Sequence, residues 1–217
     1  MPSSPPAAES SRPGVLLVDK PAGPTSHDVV ARVRRERGLK AGHAGTLDPF
    51  ATGLLIVLVG RDATRCQARF MALPKVYRAV AHFGAVSSTG DPEGEIIATG
   101  RVPPNHLDLP TGLIRQRTPA YSAVKVRGER AYKRARRGEA VNLGVRDVTV
   151  HRFEQLWREG ELAEFEIECS SGTYVRSLIA DLGDAYTESL RRLAIGPFSV
   201  DDAGRFLTVD EALAHTE

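Results

Sequence analysis

GHAGTLDPFATG, residues 42–53, runs directly into the apolar stretch GLLIVLVG of residues 53–60. The first part holds Gly42, Gly45, Gly53 and Pro49 around a single carboxylate, Asp48. Glycine reaches backbone conformations closed to other residues and lets a backbone approach a neighbour closely. Pro49 stiffens the chain just after the acid and pushes Asp48 out of the helical region. The acid therefore sits on a shaped loop, where functional groups often lie. Two readings stay open for it: an Asx-turn or helix-capping aspartate, and an acid presented for chemistry. The second part is eight residues long and reads as an apolar strand.

The loop fits no phosphate cradle, since GxGxxG and GxxxxGK[ST] are absent, and no GxSxG nucleophile elbow occurs. His27, His43 and Asp48 lack a ligand spacing of known mechanism and HExxH is absent, so no metal is expected. Cys66 and Cys169 form neither a CxxC nor a Cys/His cluster; they read as small buried hydrophobes and fit a reducing cytosol. With 217 residues, 41% of them hydrophobic, the chain suits one large domain with a real core. No apolar run approaches the ~20 residues of a membrane helix. Residues 1–13, rich in Pro, Ser and Ala without an apolar stretch, read as a disordered tail and not a secretory signal.

Net charge is only +2, but the charge is unevenly placed. KVRGERAYKRARR, residues 125–137, carries Lys125, Arg127, Arg130, Lys133, Arg134, Arg136 and Arg137 against Glu129. Arg32, Arg34, Arg35, Arg37 and Lys40 form a second run with Glu36, while Asp201, Asp202, Asp210, Glu211 and Glu217 gather near the C-terminus. Either basic run can be a solvated face or a nucleic-acid footprint.

Along the chain, Gly14–Lys20 reads as a strand. Ser26 caps a helix through Arg37, with Val29, Val30 and Val33 as its stripe and Gly38 as its stop. Residues 62–71 read as a helix. Tyr77, Ala79, Ala81 and Phe83 share one face of a half-buried strand, with Arg78 and His82 on the other. SSTGDPEGE is a loop, residues 106–115 a short helix, and residues 130–137 a basic helix or ordered loop. Strands follow at 145–156 and 161–169 around a Glu159-Gly160 turn. Residues 172–185 read as a helix with Val175, Leu178, Ile179 and Leu182 on one face. Residues 191–198 leave it through a turn, and 210–215 form a terminal helical turn. Strands outnumber helices without strict alternation, which predicts an α+β fold with a mixed, largely antiparallel sheet flanked by helices and loops.

Five stretches then agree in order. GHAGTLDPFATGLLIV resembles the signature of the bacterial tRNA pseudouridine-55 synthases, which carries that family's catalytic aspartate. VDKPAGPTSHDVV resembles its N-terminal segment, in which Lys20 is expected to contact substrate, KVYRA its KxYxA segment, and TPAYSAVKVRGERAYKRARRGE the segment that grips RNA. CSSGTYVRSLIADLG followed by LRRLAIGPF resembles its last two motifs. The match runs from about Val15 to Phe198. It implies the pseudouridine synthase fold and an isomerase that detaches uracil from ribose, rotates it and rejoins it through carbon, consuming no cofactor. It assigns nucleophilic catalysis to Asp48, base stacking and proton transfer to Tyr77, an ion pair with Asp48 to Arg176, and closure of the pocket to Leu193. His43 fills the gap left in the T-loop by the flipped base. The basic segment 125–137 contacts phosphates of the T-arm, in a cytoplasmic enzyme expected to work as a monomer without a protein partner.

This sequence departs from the family at SSTGD, where Ser88 replaces an acid while Thr89 and Asp91 match, and at DAYTES, residues 184–189, which lacks a glycine-rich GAH-like stretch. Residues 101–117 look shortened. The chain extends 19 residues past Phe198, so the family's small C-terminal RNA-binding domain is not expected. The motifs also allow a guide-RNA-dependent synthase, or a tRNA-binding folding factor whose catalysis is dispensable.

Overall fold

The computed structural model describes residues 12–119, 121, 125–126 and 129–130 (backbone only), 131, 134, 137, 139 and 143–216. It divides into two compact units, Met1–Lys75 with Arg191–Glu217, and Val76–Leu190.

The first unit is organised by the apolar stretch read above. Strand β1 (Gly14–Lys20) lies antiparallel along one edge of β3 (Thr52–Val59), from Gly14 opposite Val59 to Lys20 opposite Gly53. The other edge of β3 is shared. Strand β2 (Ala41–His43) pairs antiparallel with Val57–Val59, and β12 (Ala185–Ile195) pairs parallel at Thr52 and Gly53. Alternate side chains of β3 enter two cores. Leu54, Ile56 and Leu58 pack with Val15, Leu17, Phe70 and Phe198; Leu55, Val57 and Val59 pack with Val30, Val33 and Ala41. A strand buried on both faces has no polar period, which is why this one reads as a continuous apolar run. Two short strands complete this unit's sheet, β13 (Phe198–Ser199) on β12 and β14 (Phe206–Leu207) on β1.

Helix α1 (Ser26–Arg37) covers the second of these cores through Val30 and Val33. Its cap is Thr25, not Ser26 as the sequence reading had it. The Thr25 hydroxyl accepts from the Asp28 amide at 3.1 Å, and the Asp28 carboxylate accepts from the Thr25 amide at 2.9 Å. This is a capping box, and the Thr25 hydrogen bonds, the hydroxyl's foremost, hold the Asp28 carboxyl below its ordinary range. Ser26, freed from capping, is buried and serves the loop described below. Gly38 ends the helix at φ 64° with its amide on the Arg34 carbonyl.

Residues 62–71 are two short helices, α2 (Gly60–Arg65) and α3 (Gln67–Ala72), broken at Cys66. No helix among the described residues is long and apolar enough to cross a membrane.

In the second unit the strand order is β12, β4 (Lys75–Phe83), β11 (Leu162–Cys169), β10 (Val145–Glu159), β7 (Gly112–Arg117), and β5 (Ala85–Ser87) pairs with β6 (Ile96–Ala98) apart from it. Tyr77, Ala79, Ala81 and Phe83 are the buried face of β4, as the alternation predicts. The expected helix at 106–115 does not form. Residues 101–111 carry no helix or strand, and Gly112–Arg117 pairs antiparallel with Val145–Val150 as an edge strand. Pairing with β10 overrides a weak local preference.

The expected helix at 172–185 is only α4 (Val175–Ala180), bracketed by Gly172 at φ 86° and Gly183 at φ 142°. Ala185–Ile195 is strand β12, which takes in the first residues of the 191–198 stretch, and the turn expected within that stretch is at Gly196. Terminal helix α5 (Val209–Ala214) is where it was expected. Within 130–137, Ala131 and Arg134 are helical.

Candidate active site

The loop carrying Asp48 joins β2 to β3 and is pinned by three buried side chains of the first unit. Ser26 donates to the Leu47 carbonyl at 3.0 Å and accepts from the Leu47 amide at 2.8 Å, fixing the residue before the acid. Lys20 is fully buried; its ammonium donates to the carbonyls of Pro21 at 2.8 Å, Pro24 at 2.9 Å and Pro49 at 3.2 Å. Pro49 is the residue after the acid, so Ser26 and Lys20 grip the backbone on both sides of Asp48. Lys20 was read as a substrate contact. Its burial corrects this, because an ammonium with no exposed surface cannot meet a phosphate at the protein surface.

Arg192 is the third pin. It is 1% exposed, and its guanidinium donates to the carbonyls of Leu54 at 2.7 Å, Gly45 at 3.2 Å and Thr46 at 3.4 Å. The backbone of Arg192 also lies against Gly53: a Cβ on Gly53 would stand 2.2 Å from the Arg192 carbonyl oxygen. Gly53 holds φ 103°, a conformation side chains rarely adopt. Gly53→Ala is expected to cost on the order of 3 kcal/mol from strain and overlap. A urea midpoint equal to wild type would contradict this close approach.

The neighbouring Arg191 points elsewhere, donating to both carboxylate oxygens of Asp19 at 3.0 and 2.7 Å, and Asp19 raises its pKa. His43 lies on β2, half-buried, with its carbonyl accepting from Gln67 at 2.7 Å and its ring 6.4 Å from that of His27, edge to face. Leu193 is half-buried against the core that holds Phe70 and Phe198. Among the described residues, no group of three His, Cys, Asp or Glu side chains is arranged to hold a metal ion.

Tyr77 and Arg176 belong to the second unit. Tyr77 is 9% exposed on the buried face of β4. Arg176, 5% exposed on α4, is held by the SSTGD loop. One terminal nitrogen donates to the Thr89 carbonyl at 2.6 Å and to Asp91 at 2.9 Å, and the other to the Tyr121 carbonyl at 2.8 Å. Asp91 is itself positioned, accepting from the Thr89 hydroxyl at 2.6 Å and the Glu93 amide at 3.1 Å. Asp181 and Asp184 follow Arg176 closely in the sequence and would be its local partners. Instead the buried pair is with Asp91, while Asp184 pairs with Arg101. The loop also answers the Ser88 departure: Thr89 and Asp91, which match the family, are the residues that hold Arg176.

Gln116 buttresses the start of α4, accepting from the Tyr174 amide at 2.8 Å and donating to its carbonyl at 3.0 Å. The sequence reading missed Arg192, the Asp91 contact and Gln116, because none has a local signature.

In the basic segment, Arg127, Lys133 and Arg136 lie outside the described residues, and Lys125 and Arg130 are described only as backbone of the strand pair β8 (Lys125–Val126) and β9 (Glu129–Arg130). Arg134 and Arg137 both reach Glu139, at 2.6 and 2.7 Å. Glu139, just past the run, thus screens two of its charges, and the Arg134 hydrogen bond leads in lowering its pKa.

A chain with this loop and these motifs has clear relatives. Residues 32–175 match the family described as TruB family pseudouridylate synthase (N terminal domain). tRNA pseudouridine synthase B of Thermobifida fusca (strain YX) is 46% identical over 93% of this chain and 74% of its own length. Its namesake in Corynebacterium aurimucosum is 45% identical over 94% and 78%.

Among solved structures, a chain of a Cbf5-Nop10-Gar1 complex aligns with TM-score 0.66 and 34% identity over 91% of this chain. A chain of an H/ACA RNP bound to a substrate RNA containing 2′-deoxyuridine aligns with TM-score 0.64 and 31% identity. This chain spans about half of each, 53% and 52%. The matched segment includes Asp48, Tyr77 and the loop of Asp91, and the relatives align beyond it through most of the chain. The chain belongs to the TruB family of pseudouridylate synthases.

Proposed function

We propose that this chain isomerises uridine to pseudouridine at position 55 in the T-loop of tRNA, as a stand-alone cytoplasmic monomer. The observation that carries the proposal is Asp48, the one acid of the family signature, on a loop whose backbone is gripped on both sides by buried Ser26 and Lys20. Relatives over most of the chain are named for tRNA pseudouridine synthesis.

The target base is stacked inside a folded loop and must be flipped out, at a cost of a few kcal/mol. In the proposal Tyr77 offsets part of that cost by stacking on the extruded uracil, and His43 occupies the space it leaves. Asp48 attacks the detaching nucleoside as nucleophile. The N1–C1′ bond breaks as the Asp48 carboxylate bonds to C1′, the base turns, and C5 bonds to C1′ as the carboxylate leaves. The C5 hydrogen then leaves to solvent and N1 takes up a proton, so the reaction is balanced without a co-substrate. Arg176 pairs with the Asp48 carboxylate and favours its ionised form; Leu193 closes the pocket. Lys125, Arg127, Arg130, Lys133, Arg134, Arg136 and Arg137 face T-arm phosphates.

Tritium release from C5-labelled tRNA transcript tests the proposal. Release by the purified chain with no RNA but its substrate supports it. No release until a guide RNA or a partner is added would favour the second reading, for which the likeness to chains solved within a protein complex and a ribonucleoprotein speaks.

Neutralising Arg134, Arg136 and Arg137 together is expected to weaken tRNA binding and flatten its dependence on salt, since fewer counterions are released. Because Arg134 and Arg137 share Glu139, the slope should change by less than three full phosphate contacts. An unchanged slope removes the segment from the interface.

A further inference from the structure

We infer that Arg192 is a positioning residue for Asp48, acting through the backbone of the loop; the inference rests on the proposed role of Asp48. Its guanidinium is buried in the first unit, and the partners it meets there are backbone carbonyls: Gly45 and Thr46 on the chain entering the loop, Leu54 on the chain leaving it. A charge taken out of water without a counter-ion is costly to keep. An apolar side chain would fill the same volume at lower cost, so packing alone is a poor reason for an arginine here.

What an apolar residue cannot do is bridge the two arms of the loop. The planar fork donates in several fixed directions at once. Here Nε takes Leu54 while the two terminal nitrogens take Thr46 and Gly45. The base of the loop is thereby closed two residues before Asp48 and six after it. Gly45, at φ 97°, lets the chain turn over the guanidinium, and Gly53 lets β3 run against the Arg192 backbone. Ser26 and Lys20 fix the residues flanking the acid; Arg192 fixes the frame that both grip.

A nucleophile must be held within a fraction of an ångström of its attack position, and a 1 Å misplacement can cost about 100-fold in rate. A lysine at 192 keeps the charge but has no fork, and its shorter reach serves one arm of the loop. For Arg192→Lys the expected result is a single-turnover rate about 100-fold below wild type, with tRNA affinity and urea midpoint close to wild type. Arg192→Gln, which removes the charge and keeps a donor, should fall at least as far.

Asp48→Asn is run beside them. If Asp48→Asn is inactive and a folded Arg192→Lys turns over like wild type, this inference fails and the role of Asp48 stands. If Asp48→Asn is itself active, the reading on which the inference rests has failed. If both Arg192 variants fail to fold, Arg192 serves the stability of the unit and the inference is overturned. A loss of rate matched by an equal loss of tRNA affinity overturns it as well, since it would place Arg192 in substrate binding.

Discussion

Replacing Asp48 with alanine lowers tritium release at least ~10⁴-fold, the scale on which loss of a catalytic nucleophile acts. The chain should still fold and still bind tRNA. Ser26 holds the amide and carbonyl of Leu47, Lys20 the carbonyl of Pro49, and Arg192 the carbonyls of Gly45, Thr46 and Leu54, and none of these contacts uses the Asp48 side chain. Every one of these contacts survives the substitution. Loss of turnover with an unchanged urea midpoint and retained binding therefore isolates the chemistry of the carboxylate. It also separates an enzyme from a tRNA-binding folding factor, whose binding is its function. Full activity of the alanine variant would remove Asp48 from the mechanism.

Arg176→Lys should cost roughly 10²- to 10³-fold in rate, the range seen when a preorganised charge-stabilising donor is lost. The arginine uses its fork in three directions, to Thr89, Asp91 and Tyr121. An ammonium keeps the charge that Asp91 requires but cannot reproduce a planar donor set. The buried pair with Asp91 makes Arg176→Met the harsher change, since it strands a carboxylate that is 4% exposed. Lysine is thus the informative substitution: it should fold, bind tRNA and turn over slowly. Near-wild-type turnover would limit Arg176 to bracing the SSTGD loop.

How much of this was legible beforehand follows from the range of each signal. The β3 strand was legible because burial on both faces leaves an unbroken apolar run, and β4 because burial on one face leaves strict alternation. Asp48 was legible through the family signature. The cap of α1 was misread although its signal was present: Thr25 stands three residues before Asp28, the spacing of a capping box, whereas Ser26 does not. Strand β12 was missed because AYTESLRRLAI mixes charged and apolar residues without a clean period.

The supports of the site were hidden for a different reason. Arg191 and Arg192 are adjacent and chemically identical, yet one pairs with Asp19 at the surface and the other is buried beneath the loop. Which arginine points inward depends on the register of β12 against β3, a relation between residues about 140 positions apart. The pairing of Arg176 with Asp91 spans 85 positions in the same way. The candidate catalytic residues stand in local motifs; the residues that hold them do not announce themselves in the sequence.

The most direct test of the central claim uses unmodified tRNA transcript carrying tritium at uracil C5, incubated with the purified chain and no guide RNA or protein partner. The account predicts release approaching one equivalent per tRNA, and none from a transcript with cytidine at position 55. Absence of release from the first transcript, or equal release from both, would contradict it.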